Sequence, residues 1–246
     1  MPEIVIWISS GLALILGGVI KGALGVGLPL VSVPVLALWL PTGRAIGVLS
    51  VPVILSNLVQ AKEGSDLGSA WTRFKGLIIT QLIATVLAVR MTADMSPQHL
   101  NMLVSIAVFA AVALMWLQPA FEIRNDDERR TSIFVGAVAG TLGGVSSLTG
   151  PVLITYLMAL QLKRDEFVRS ISLIYLTGSL PIYGGMLFFG RITWVDVGLS
   201  VIALFPVYIG MRAGRAIRHQ LDDILFRRIV LGFLLGVAVL LFAKSW

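Results

Sequence analysis

Two stretches decide how this chain folds: GVIKGALGVGLP at residues 18–29 and GAVAGTLGGVSSLTGP at residues 136–151. Each sits inside apolar surroundings, and each sets glycines close together ahead of a proline and a fresh apolar leg. In lipid, such a break is tolerated only where its freed backbone groups are buried in protein or line a polar cavity. The surrounding composition says lipid. Of 246 residues, 57% are hydrophobic and 13% charged, against about 45–50% and roughly 25% in soluble domains. A soluble core of this size could not hide that much apolar surface, which excludes a soluble enzyme. Disorder and a coiled coil are excluded too, because the chain is too apolar and lacks heptads. A disulfide-stapled scaffold fails because the chain has no Cys. The chain reads as an all-α polytopic membrane protein.

Working outward from the two breaks, apolar segments fall at 4–20, 24–40, 45–61, 76–92, 99–118, 132–147, 148–162, 168–189, 193–211 and 224–243. A full helical span needs about 20 residues. Segments 24–40 and 148–162 are short or interrupted. An internal repeat connects them: Gly18, Gly22 and Gly25 recur 118 positions later as Gly136, Gly140 and Gly143. Pro34-Val35-Leu36 recurs as Pro151-Val152-Leu153, and Arg44 as Arg164. The chain therefore divides into a first transmembrane repeat at 1–118, a charged cytoplasmic connector at 119–131 and a second transmembrane repeat at 132–246. Each repeat holds about five apolar segments and opens with a Gly-rich broken or re-entrant helical hairpin. An odd number of crossings per half makes the two repeats inverted, an arrangement common in secondary transporters.

Charge sets the orientation. There are 19 Lys+Arg against 13 Asp+Glu, a net +6, and the cations lie in short loops between apolar runs. With both termini outside, Lys21, Lys62, Arg73, Lys75, Arg124, Arg129, Arg130, Lys163, Arg164 and Arg169 fall on the cytoplasmic side. Arg212, Arg215, Arg218, Arg227 and Arg228 join them, and only Arg44, Arg90, Arg191 and Lys244 stay outside. That asymmetry is the positive-inside signature of membrane topology, not a phosphate-binding face, so nucleic acid is not an expected partner. Met1-Pro2-Glu3 provides no cationic lead-in, and the first apolar segment reads as retained. The expected location is the bacterial inner membrane, multi-pass, with both termini periplasmic.

The breaks carry the chemistry. Pro29 and Pro151 suit the first turn of the helices that follow, where a missing N–H costs nothing. Two helix N-termini at membrane depth, brought together by inverted symmetry near the midplane, offer free donors and the positive dipole end to an anion. Lys21 adds a full charge at the first break, and Ser146, Ser147 and Thr149 add hydroxyls at the second. Gly18-xxx-Gly22 and Gly136-xxx-Gly140 also fit close helix packing, whereas Gly25, Gly27, Gly143 and Gly144 read as tips. Lys21 has a second reading as well: it could snorkel to the cytoplasmic interface. Ser50, Ser56, Asn57 and Gln60 on the third segment match Ser170, Ser172, Thr177 and Ser179 on its counterpart. Asn57 is the hardest of these to leave without a role, and Gln81 is a similar but weaker candidate. The residues expected to hold the anion are Lys21, Gly22, Gly25, Gly27, Ser50, Asn57, Gly143, Gly144, Ser146, Ser147, Thr149, Ser172 and Thr177.

Absences narrow the chemistry. His99 and His219 are the only histidines, and no Asp or Glu sits in the middle of an apolar segment. No catalytic residues, no metal and no cofactor are expected.

Two copies of the Gly-xxx-Gly-xx-Gly run followed by Pro-x-Leu, in a chain of this size, resemble the TauE/SafE sulfite exporter family, the TSUP permeases. The resemblance runs from Gly11 to about Gly236. It implies a membrane bundle of two homologous halves that moves sulfite, organosulfonates or related small anions. This chain departs from the family's denser first glycine cluster at Val26, between Gly25 and Gly27. Its lack of Cys separates it from thiosulfate-uptake relatives. The expected function is alternating-access transport of sulfite or a related organosulfonate. A permease for another small anion and a non-transporting membrane scaffold are the alternatives. The expected partners are the small anion, the lipid bilayer and a coupling ion, H+ or Na+.

Overall fold

A computed structural model describes residues 3–24, 27–62, 67–117, 123, 125–162, 164–217, 235 and 239. All regular structure among these residues is helical: α1 (Glu3–Leu24), α2 (Leu28–Ala37), α3 (Thr42–Gly47), α4 (Ser50–Lys62), α5 (Leu67–Met91), α6 (Pro97–Leu117), α7 (Asn125–Ser146), α8 (Gly150–Ala159), α9 (Arg164–Phe188) and α10 (Trp194–Ile217). Five stretches are long and apolar enough to cross a bilayer: Ile6–Ala23, Thr42–Ala61, Gly68–Met91, Arg169–Phe188 and Trp194–Ala216. The second of these runs through α3 and α4. The two helices part at Val48 and Leu49, because Pro52 has no N–H to return to the Val48 carbonyl. The expected apolar segment at 224–243 lies outside the described residues, apart from two isolated positions.

The two short legs are resolved by their lengths. α2 and α8 have 10 residues each, about 15 Å of helix against a hydrocarbon core of about 30 Å. Neither can cross. Each folds back on the helix before it, α2 on α1 and α8 on α7. One sequence correspondence does not survive: Pro34 lies inside α2, whereas Pro151 opens α8. Pro29 is the positional counterpart of Pro151.

Glycine faces hold the long helices together. On α7, Gly136, Gly140 and Gly144 lie against the backbone of α5 at Leu77, Gln81 and Thr85, residue for residue at four-residue spacing. The Thr85 hydroxyl then donates to the Gly140 carbonyl at 3.1 Å. On the other side of the molecule, Gly18 and Gly22 of α1 meet Gly210 and Met211 of α10, while Gly214 rests on Val19. In lipid there is no hydrophobic force between helices, so this close backbone approach supplies the packing energy. α1 thus pairs with α10, and α7 with α5.

The molecule buries many polar side chains among its apolar core and shows large apolar ones outside. Asn57, Gln60, Gln81, Thr85, Ser105, Ser170 and Ser172 are buried, while Phe188 is 83% and Trp194 75% exposed. In water such a surface would be an aggregation hazard; in lipid it is the matching face. The two ends carry separate charge clusters. At one, Arg73 of α5 holds Glu128 of α7 through two hydrogen bonds of 2.7 and 3.0 Å and Glu166 of α9 through one of 2.8 Å. At the other, Arg44 of α3 meets Asp196 of α10 at 2.7 Å. Nearby, the hydroxyl of Thr42 donates to Asn101 of α6, and Arg191 donates to the Thr92 hydroxyl at 2.6 Å.

Candidate functional site

The starts of α2 and α8 face one cavity. α2 follows Gly27, whose φ of 99° lies in the left-handed region that a side chain would strain. Ser147, in the second break, is also left-handed at φ 62°. Neither helix start is capped by a side chain, and each carries its proline in the first turn. Leu28, Pro29 and Leu30 from one start, and Leu148, Thr149 and Gly150 from the other, wall a cavity of about 30 Å³. By the same measure one water takes about 10–15 Å³, so the space suits a compact group of few heavy atoms.

Long helices close the remaining sides. Lys21 enters from α1, Val53 and Asn57 from α4, and Gln81 from α5; α9 contributes Tyr175, Gly178, Ser179, Ile182 and Tyr183. Lys21 is 3% exposed. Its Nζ donates to Asn57 Oδ1 at 2.9 Å, which ties an α1 cation to an α4 amide across the wall. Ser147 Oγ and Tyr183 OH are 3.4 Å apart, and Ser179 Oγ turns back to the Leu176 carbonyl at 2.8 Å. No acidic side chain lines the cavity among the described residues.

Three buried polar groups on this wall have no partner: both ends of the Gln81 carboxamide and the Tyr175 hydroxyl. An unmade buried hydrogen bond costs about 1–3 kcal/mol, so such groups ask for an occupant. Glycines hold them at the cavity edge. Gly140 presses on the Gln81 backbone from α7, and a side chain at Gly178 would strike the Gln81 amide from α9. A Cβ at Gly150 would come within 2.9 Å of the Tyr175 hydroxyl. The two helix starts, one cation and the unpartnered donors make a cup that suits an anion.

Residues 10–241 match the family model described as sulfite exporter TauE/SafE. The chain belongs to the TauE/SafE family. No curated protein and no solved structure matches it. Membership, together with the apolar helices, makes the chain a multi-pass membrane protein of an exporter-type permease family whose substrates are small sulfur-containing anions.

In this TauE/SafE chain the expected site residues divide cleanly. Lys21, Gly27, Asn57, Ser147 and Thr149 come together on the cavity wall. Others lie behind it. Gly22 packs on Met211 and Gly144 on Thr85 and Ala88, while Gly143 faces the Thr149 methyl group and Ile182. Ser146 Oγ donates to the Leu142 carbonyl and receives the Leu148 N–H, closing the end of α7. Ser50 bonds Ser200 of α10 at 3.1 Å, and Thr177 bonds the Leu173 carbonyl at 2.9 Å. Ser172 is fully buried away from the wall, and Gly25 lies outside the described residues. Tyr175, Gly178 and Ser179 were missed as wall residues. Their signal was present as a polar-and-small face on α9 that continues, at three- and four-residue steps, to Tyr183.

Proposed function

We propose that this TauE/SafE chain carries sulfite or a related organosulfonate across the bacterial inner membrane by alternating access, holding the anion between the starts of α2 and α8. One observation carries the reading. Two uncapped helix starts, Lys21 and the unpartnered Gln81 and Tyr175 groups meet in one cavity, with no acidic wall residue among the described residues. The helix starts belong to residues 1–118 and 132–246, read as two inverted repeats. The reciprocal pairing of α1 with α10 and of α7 with α5 supports that relation. α2 and α8 act as re-entrant legs, so each half brings one helix start to the substrate. Rocking of one half against the other then opens the cavity to either side. The termini are periplasmic. The separation of Arg73, Glu128 and Glu166 from Arg44, Arg191 and Asp196 into two end clusters agrees with the sides that the loop charges assign.

A ligand that binds only the folded protein raises its melting temperature, by about 2.7 kcal/mol of added stability at 100 times Kd. Detergent-purified protein should therefore melt higher with sulfite and with methanesulfonate than with acetate. A larger shift with acetate would move the substrate to the carboxylates. A folded protein stabilised by no anion would leave a scaffold role.

A further inference from the structure

We infer that the cavity selects a singly charged oxoanion that still carries an acid proton, so that hydrogensulfite and not sulfite is the species held. This rests on the anion reading of the same cavity and specifies its charge and protonation. Three features of the wall lead there. First, Lys21 is the one cationic residue on the wall among the described residues, and no acid accompanies it. Asn57 Oδ1 is already engaged by Lys21. A further cation that acts on Lys21, Arg215 of α10, is exposed and therefore screened by solvent. α2, which packs on α1, has no ionisable residue. A monoanion is neutralised in such a cavity, and a dianion leaves one negative charge uncompensated in a medium that penalises it.

Second, the Gln81 carboxamide is buried to 1% exposure, and neither its oxygen nor its nitrogen has a partner. Gln81 lines the cavity, and whichever way its amide is turned it offers one donor group and one carbonyl acceptor without a partner. A fully deprotonated oxoanion has only acceptors. It would satisfy the amide N–H and set its lone pairs against the carbonyl. A protonated oxoanion satisfies both ends, its acid proton going to the carbonyl. Third, the Tyr175 hydroxyl is buried and unpartnered on the same wall and can donate to the remaining oxygens. The helix starts add N–H donors without adding net charge, so they favour an anion but do not repay a second full charge.

The test measures affinity by calorimetry on detergent-purified full-length protein. The probes are sodium sulfite across neutral pH, methanesulfonate as a monoanion with no acid proton in this range, and sulfate as a dianion. Methanesulfonate should bind with nearly constant affinity over the range. Apparent affinity for total sulfite should fall about tenfold per pH unit once hydrogensulfite loses its proton. Sulfate should bind about 100-fold more weakly than methanesulfonate. In Gln81→Leu the preference for hydrogensulfite over methanesulfonate should disappear while methanesulfonate is still bound. Sulfate binding within about threefold of methanesulfonate would overturn the charge selection and leave the anion site standing. A parallel fall of sulfite and methanesulfonate affinity with pH would assign the titration to the protein, and would likewise overturn the inference. If no probe binds to a protein that still melts cooperatively, the anion reading itself fails.

Discussion

At the scale of single residues, Lys21 is the deciding group. An ammonium on an otherwise apolar helix has two physical fates, the interface or a buried partner, and here it is buried against Asn57. The pair was legible in outline, because an amide and a lysine inside apolar segments both need company. Gln81 stood out less. The single amide in the run LIITQLIATV looks like helix glue until the burial of both its ends without partners is visible. Lys21→Gln is expected to weaken methanesulfonate binding by about 10- to 150-fold, the worth of a charged hydrogen bond. Its melting temperature without ligand should stay close to that of the parent. Lys21→Arg should recover only part of the affinity, since a planar guanidinium replaces a compact ammonium. Calorimetry with methanesulfonate on the three proteins checks this. Unchanged affinity in Lys21→Gln would remove Lys21 from the site.

At the scale of elements, the two breaks were readable because glycine followed by proline has few other uses in lipid. What could not be read was which glycines serve the cavity and which serve packing. Gly136, Gly140 and Gly144 share one helix face at four-residue spacing, and that face meets α5. In sequence Gly144 reads as a tip because a proline and a fresh apolar leg follow it, yet helical rotation puts it on a different side from Gly143. Gly140→Leu should therefore unfold the α5–α7 pair, costing about 3 kcal/mol or more, since the obstruction is the Gln81 backbone and cannot swing aside. Loss of a cooperative melt and of the monodisperse elution peak would report it; a parent-like melt would argue against the packing role. The α10 start holds a signal that was overlooked, Thr193-x-x-Asp196. Asp196 Oδ2 accepts the Thr193 N–H at 2.8 Å, and the Asp196 N–H reaches the Thr193 hydroxyl at 3.3 Å, a capping box. Arg44 adds an ion pair to the same carboxylate. The Asp196 side chain is 5% exposed and that of Arg44 46%. A double-mutant cycle with Arg44→Gln and Asp196→Asn should show coupling of about 1 kcal/mol, reduced from a fully buried pair by solvent at Arg44. Additive effects would mean that the pair contributes nothing beyond the cap.

At the scale of the whole molecule, composition and loop charge were enough to predict a helical membrane protein, because a lipid-facing exterior leaves so few polar positions to place. The pairing of α1 with α10 and α7 with α5 was not legible, since it depends on contacts between helices that are not neighbours in the chain, Gly18 with Gly210 and Gly136 with Leu77. The orientation makes a direct prediction. The chain has no Cys, so single cysteines report cleanly. Gln98→Cys, in the first turn of α6, should react with an impermeant reagent added to intact cells, and Arg129→Cys, on α7, should not. The opposite pattern would invert the molecule in the membrane. We propose that a sulfite-class anion is carried across through the cavity between the starts of α2 and α8. Counterflow of isotope-labelled sulfite into proteoliposomes loaded with unlabelled sulfite tests it most directly. The parent protein is expected to accumulate label transiently above the level of empty liposomes, with Lys21→Gln and Gln81→Leu, reconstituted to equal density, losing most of that signal. Counterflow equal to the parent in both variants, or none in a folded and reconstituted parent, would contradict it.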